Sequence, residues 1–135
     1  MRQLLIVVDR PVADGDEGFA LVRDEPTRVT FLRVLPPTRF RVTRLGPLVP
    51  LAEELDGYDD AELRQARRVA WRNGVGADVL LMSGDTAACV AACARRLRPD
   101  AIVLQTSRRG GVSSLVRGVP RSIRRAAPCP VLLAA

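Results

Sequence analysis

Short apolar runs alternate with helical patterns along this chain, and that alternation limits the possible fold more than any other feature. Five runs are predicted to be strands: Gln3–Asp9, Arg28–Pro37, Ala77–Asp85, Asp100–Thr106 and Cys129–Ala135. Four segments between them are predicted to be helical: Asp16–Glu25, Asp59–Gly74, Thr86–Arg98 and Pro120–Ala127. Apolar strands separated by helices are typical of a parallel sheet covered on both faces. We therefore expect one α/β domain over residues 1–135, a three-layer sandwich around a five-stranded parallel sheet.

The helix Asp59–Gly74 has the clearest boundary signals. Asp59 is predicted to be its N-cap, with Glu62 three residues later completing a capping box, and Gly74 is predicted to end it. In the next helix, Asp85 or Thr86 is predicted to be the cap. The segment Thr38–Gly57 shows no sustained period, so it is predicted to be a long loop containing one helical turn.

The cysteine and histidine content limits the possible chemistry. The chain has three cysteines and no histidine. Without histidine, Ser-His and Cys-His nucleophile pairs cannot form, and nucleotidyl-transfer domains built on paired histidines are excluded. Cys89 and Cys93 lie one helical turn apart but lack the His or Cys partners of a tetrahedral metal site. They are interpreted as structural thiols, and neither catalysis nor a metal centre is expected.

The charge of the chain is concentrated near its C-terminus. All 21 basic residues are arginines, and residues 95–135 hold nine of them against the single acid Asp100. Such a segment attracts anions, which could be nucleotide phosphates, nucleic acid or an acidic partner. With only five aromatic residues in the chain, stacking platforms for single strands are missing, so nucleic-acid binding is not expected.

The apolar runs are too short for a membrane span. Leu4–Val8 and Val131–Ala135, for example, have five residues each, whereas a spanning helix needs about 20. A signal-peptide core of adequate length is also missing from the N-terminal segment. A cytoplasmic location is expected.

Several motifs together resemble the universal stress protein family. "PDAIVLQTSRRGG" reproduces a strand followed by a glycine loop, "APCPVLL" reproduces the last strand, and "LLIVVD" and "VTFLRV" match the first two strands. The resemblance implies the five-stranded parallel fold that this family shares with adenine nucleotide alpha hydrolases. It also implies a homodimer, involvement in stress responses and, in some members, ATP binding at the strand ends.

The glycine loop departs from the pattern of the ATP-binding members, Gly-x2-Gly-x9-Gly-Ser/Thr. Glycines in that pattern let backbone amides approach the phosphates, and the final hydroxyl lies at a helix N-terminus. With Gly118 as the last glycine, the other two positions hold Gln105 and Arg108, and Val119 replaces the hydroxyl residue. A non-catalytic stress-response domain without the usual ATP binding, and with no cofactor, is therefore the preferred interpretation.

Two further positions match the nucleotide-binding members one by one. Asp9 matches the acidic residue that faces the adenosine, with a cap or turn role as the alternative. Val34 matches the apolar residue that flanks the adenine, with a plain core role as the alternative. An ATP- or AMP-binding protein that uses Arg108 and the amides around Gly118 remains the alternative function, because a guanidinium can clamp a phosphate without close backbone approach.

The last predicted strand, Cys129–Ala135, lies at or near an edge of the sheet. An apolar edge strand presents unpaired backbone groups to another chain, and the resemblance implies the dimerisation through this strand that is frequent in the family. A homodimer formed there is expected. The third interpretation is non-specific binding of nucleic acid or an acidic partner by the basic C-terminal segment.

Overall fold

The computed structural model describes residues 1–9, 11–13, 26–35, 40–43, 46–50, 53–105 and 119–134. Its strands are β1 Arg2–Val7, β2 Thr27–Leu35, β3 Phe40–Thr43, β4 Gly46–Pro50, β5 Glu53–Leu55, β6 Gly76–Ser83, β7 Ala101–Gln105 and β8 Val131–Ala134. Its helices are α1 Ala61–Arg72, α2 Thr86–Leu97 and α3 Val119–Ala126, with a 3₁₀ turn at Gly57–Asp59. The predicted helix Asp16–Glu25 lies outside the described residues. No helix in the described part of the chain is long and apolar enough to cross a bilayer.

The main sheet confirms the α/β class and adds one strand to the prediction. Six strands lie in the order β5-β6-β2-β1-β7-β8. Five of them are parallel, as predicted, and β5 runs antiparallel to β6 at the edge. In the centre, Val7 of β1 pairs in register with Leu32 on one side and Leu104 on the other.

Each face of the sheet has its own apolar core. Leu4 and Ile6 point to the face that α1 covers. Leu5 and Val7 point to the opposite face, which α2 and α3 cover. Because successive residues of a strand alternate between faces, a strand buried on both sides must be apolar at every position. This explains why the central strands could be recognised in the sequence.

The prediction of a loop over Thr38–Gly57 is wrong in part. β3 and β4 form an antiparallel hairpin in which Phe40 pairs with Pro50 and Thr43 with Gly46, and β5 pairs with the end of β6. These strands are only three to five residues long, and prolines and charges interrupt them. A periodic signal cannot develop over so short a stretch, and prolines argue against strand in a sequence pattern.

The N-cap of α1 is one residue later than predicted. The Asp60 carboxylate accepts a hydrogen bond from the Leu63 amide at 2.9 Å, while Asp59 belongs to the preceding 3₁₀ turn. The predicted capping box is therefore wrong. Gly74 does end the helix region as predicted, with φ of 73°, a left-handed conformation that costs glycine little. The predicted cap of α2 is confirmed, since Asp85 accepts from the Ala88 amide.

Candidate functional site

Asp9 and Val34 lie at the same edge of the sheet, as expected for two contacts to one ligand. Since Val7 pairs with Leu32, each residue stands two positions beyond that pair on neighbouring strands. The Val8 amide donates to the Leu32 carbonyl at 2.7 Å, so the ladder between the strands continues to this point. Asp9 is half-buried. Ligands of open parallel sheets bind at this carboxyl-terminal edge.

Val34 also has a structural role. Its side chain is partly buried and packs against the apolar core beneath α2 and α3. It pairs in register with Met82 of β6. Val34 therefore contributes to packing beside this core, and its contact with an adenine stays a prediction.

Gln105 ends β7 at the same edge, where the ATP-binding loop pattern has its first glycine. It pairs in register with Ala134 and only 2% of it is exposed. A buried glutamine side chain takes up volume that a glycine would leave open. Arg108 and Gly118 lie outside the described residues. Helix α3 begins at Val119, one residue before the predicted start at Pro120.

The two halves of a nucleotide would therefore meet different surroundings at this edge. On the side of β1 and β2, Asp9 and Val34 offer a carboxylate and an apolar wall, which fit a nucleoside. On the side of β7, the buried Gln105 stands where the ATP-binding pattern has a glycine. Among the described residues of this edge, Asp9 and Val34 are compatible with a nucleoside, and Gln105 lacks the bare backbone of that glycine.

A charge cluster beside this edge was not predicted from the sequence. Arg33 of β2 donates through Nη1 to the carboxylate of Asp60, and its Nε lies 3.3 Å from Oε2 of Glu62. The side chain of Asp60 is only 8% exposed. The cluster holds the first turn of α1 against β2. The signal for it in the sequence was the position of Arg33 between the apolar residues Leu32 and Val34 of β2.

The cysteines are core residues. Cys89 and Cys93 are buried, and the Cys93 thiol lies 3.2 Å from the Met82 sulfur. Burial raises the pKa of Cys93 to about 11, and burial likewise raises the pKa of Cys89 and Cys129. A thiol with a raised pKa stays protonated at neutral pH and is a poor nucleophile. Across the described ranges, no three His, Cys, Asp or Glu side chains form a group that could hold a metal ion.

The sequence model of the universal stress protein family matches residues 1–135, the whole length of the chain. The chain belongs to the universal stress protein family. This confirms the resemblance inferred from the strand and loop motifs. No curated protein matches the chain in sequence.

Solved universal stress proteins share the fold. UspA from Lactobacillus plantarum is 19% identical, with a TM-score of 0.66 over 99% of this chain and 97% of that one. The Archaeoglobus fulgidus protein in complex with dAMP is 14% identical, with a TM-score of 0.60 over 100% and 98% of the two chains. A family protein from Arabidopsis thaliana with AMP bound is 16% identical, with a TM-score of 0.56 over 98% and 90%.

Proposed function

We propose that this universal stress protein is a non-catalytic regulatory domain that acts by binding and does not hold ATP in the manner of the glycine-loop members. The observation that supports this most directly is the burial of Gln105 at the end of β7. Tight phosphate binding by a loop depends on bare backbone amides that converge on the anion. The glutamine at position 105, the arginine at 108 and the missing hydroxyl at 119 each remove part of that surface.

Calorimetric titration with ATP and Mg²⁺ tests this proposal. We expect no binding tighter than about 100 µM, which corresponds to about 5.5 kcal/mol of binding free energy. The triple variant Gln105→Gly, Arg108→Gly and Val119→Ser restores the glycine-loop pattern and should gain measurable affinity for ATP. Tighter binding by the wild-type chain, lost in Arg108→Ala or Gly118→Val, would overturn the proposal.

An adenine-nucleotide-binding protein is the second candidate, and the adjacency of Asp9 and Val34 favours it. Asp9 is half-buried and Val34 partly buried at one edge of the sheet, where they would contact the nucleoside, and similar folds hold AMP and dAMP in the Arabidopsis and Archaeoglobus proteins. In this candidate, Arg108 and the amides around Gly118 hold the phosphate. A titration with AMP separates the two candidates, because binding lost in Asp9→Ala would support the second and absence of binding would exclude it.

We further propose that the protein forms a homodimer through β8. Within the described sheet, β8 pairs only with β7 and is the last strand of its edge. Leu132 and Leu133 are 38% and 50% exposed, which is unusual for leucines of a strand. A second copy that aligned its β8 antiparallel to the first would satisfy the open backbone groups and cover both leucines.

A further inference from the structure

A groove of about 650 Å³ lies at the amino-terminal edge of the sheet, opposite the edge described above. One wall is the outer face of α1, and the other is formed where β2 and β6 begin. Its charged and aromatic lining residues are Arg28, Arg64, Arg67, Arg68, Trp71 and Asp78. We call this feature the basic groove. Its volume falls within the range of about 300–1,000 Å³ that is typical of small-molecule sites.

The spacing of α1 residues explains why these side chains line one surface. Arg64, Arg68 and Trp71 follow one another at intervals of four and three residues, which places them on one face of α1 over a length of about 10 Å. The apolar residues of the same helix face the core instead; they are Leu63, Ala66, Val69 and Ala70. The stripe of arginines and tryptophan is therefore the solvent face of α1.

The basic groove carries uncompensated positive charge. It has four arginines and one aspartate, a formal charge of +3. That aspartate, Asp78, already forms an ion pair with Arg28, whose Nη2 lies 2.8 Å from its Oδ2. Among the described residues, Arg64, Arg67 and Arg68 have no ion-pair partner. Because like charges four residues apart destabilise a helix slightly, a bound anion would relieve repulsion along this face.

Trp71 adds an aromatic surface to the same groove. It is 81% exposed, although tryptophan is on average a highly buried residue type. Its ring lies on the same helix face as Arg64 and Arg68, and Val75 adds apolar surface beside it. A flat aromatic ring stacks on nucleobases, and guanidinium groups bind phosphate bidentately. The groove thus combines the two contacts that a nucleotide requires.

We propose that the basic groove binds a nucleotide unit, with the base against Trp71 and the phosphate held by the arginines of α1. This site is distinct from the carboxyl-terminal edge where the family pattern predicts a nucleotide. The same chemistry is presented by a free mononucleotide and by a single-stranded nucleic acid, and titrations with both distinguish these sources.

The fluorescence of Trp71 reports directly on this site, because it is the only tryptophan in the chain. We expect AMP, ATP or a short oligothymidylate to change its emission in a saturable manner, and inorganic phosphate to do so far more weakly. Arg68→Glu should weaken binding by about tenfold or more, since it reverses a charge that contacts phosphate. Arg95→Glu makes the same charge change at an exposed position of α2, outside the basic groove, and serves as the matched control.

Two further comparisons make the test independent of the proposed function. Gln105→Gly alters the carboxyl-terminal edge and should leave the Trp71 response unchanged. In calorimetry, Trp71→Phe should retain binding and Trp71→Ala should lose it. Much tighter binding of the oligonucleotide than of AMP would assign the site to nucleic acid, and equal affinities would assign it to mononucleotides.

Three outcomes would overturn the proposal. The first is no saturable change with any nucleotide or oligonucleotide at millimolar concentration. The second is equal weakening by Arg68→Glu and Arg95→Glu, which would indicate general charge attraction. The third is an acidic peptide that changes the emission as strongly as the nucleotides do.

Discussion

Cys93 illustrates how burial decides the chemistry of a single side chain. The sequence predicted that Cys89 and Cys93 are structural thiols, since they lie among alanines one helical turn apart, and both are buried. The sequence could not give the extent of the effect on Cys93, because the desolvation comes from residues of other elements, Met82 among them. Arg33 is a similar case, since its partners Asp60 and Glu62 lie nearly 30 residues away.

The raised pKa of Cys93 predicts a loss of stability at alkaline pH. The pKa of its thiol is about 11 in the folded chain, against the ordinary value of 9.0. Between these values the unfolded chain releases the proton and the folded chain keeps it, so the free energy of unfolding falls as pH rises from about 9 to 11. Below pH 9 this contribution is fully present.

Thermal melts at several pH values provide the measurement. The melting temperature should fall less between pH 9 and 11 in Cys93→Ala than in the wild-type chain, whatever the difference between them at pH 7. An equal fall in both proteins would contradict the assignment. Cys129→Ala is the comparison, because that cysteine is only half-buried and its removal should reduce the alkaline fall less than Cys93→Ala does.

At the scale of elements, the sequence predicted the long strands and helices and missed the short ones. β1, β2, β6 and β7 are apolar runs long enough to be recognised, and each was predicted to within a few residues. The hairpin of β3 and β4 and the edge strand β5 gain their stability from pairing with distant residues. A local pattern carries little information about such pairing.

The N-terminus of α1 gives a prediction at this scale. Asp60 caps the helix and binds Arg33 at the same time, so Asp60→Ala removes a cap and leaves a half-buried arginine with fewer partners. We expect it to lower the free energy of unfolding by about 2 kcal/mol. Asp59→Ala should change it by less than about 0.5 kcal/mol.

Urea denaturation of the two variants distinguishes the observed cap from the one the sequence suggested. Adjacent aspartates give the same local signal, and only the position of Arg33 on the neighbouring strand selects between them. A larger loss in Asp59→Ala than in Asp60→Ala would contradict the cap described above.

At the scale of the whole molecule, the candidate sites lie at opposite ends of one sheet. The family resemblance located the carboxyl-terminal edge, because Asp9 and Val34 belong to recognisable strand motifs. The basic groove was missed because its residues are distant in the sequence. Arg28 precedes α1 by more than 30 residues and lies 50 residues from Asp78. The arginines and tryptophan at helical spacing on the polar face of α1 were the available signal.

The proposed dimer gives the prediction at this scale. Leu133→Asp places a charge on the exposed surface of β8 and should convert the dimer to a monomer of about half the mass, because an unpaired charge would be buried at the contact. Ala92→Glu, at an exposed position of α2, should leave the dimer intact. Native mass spectrometry or light scattering at micromolar concentration measures both. A monomeric wild-type protein would contradict the proposal.

The other edge strand of the main sheet, β5, limits how many copies of the chain can join edge to edge. It has three residues and includes two glutamates, and a short, acidic margin is a poor template for another strand. A chain that can add a neighbour on one side only cannot polymerise. We therefore expect strand pairing to produce a closed dimer with two-fold symmetry. Open-ended fibres would require both edge strands to pair with other chains.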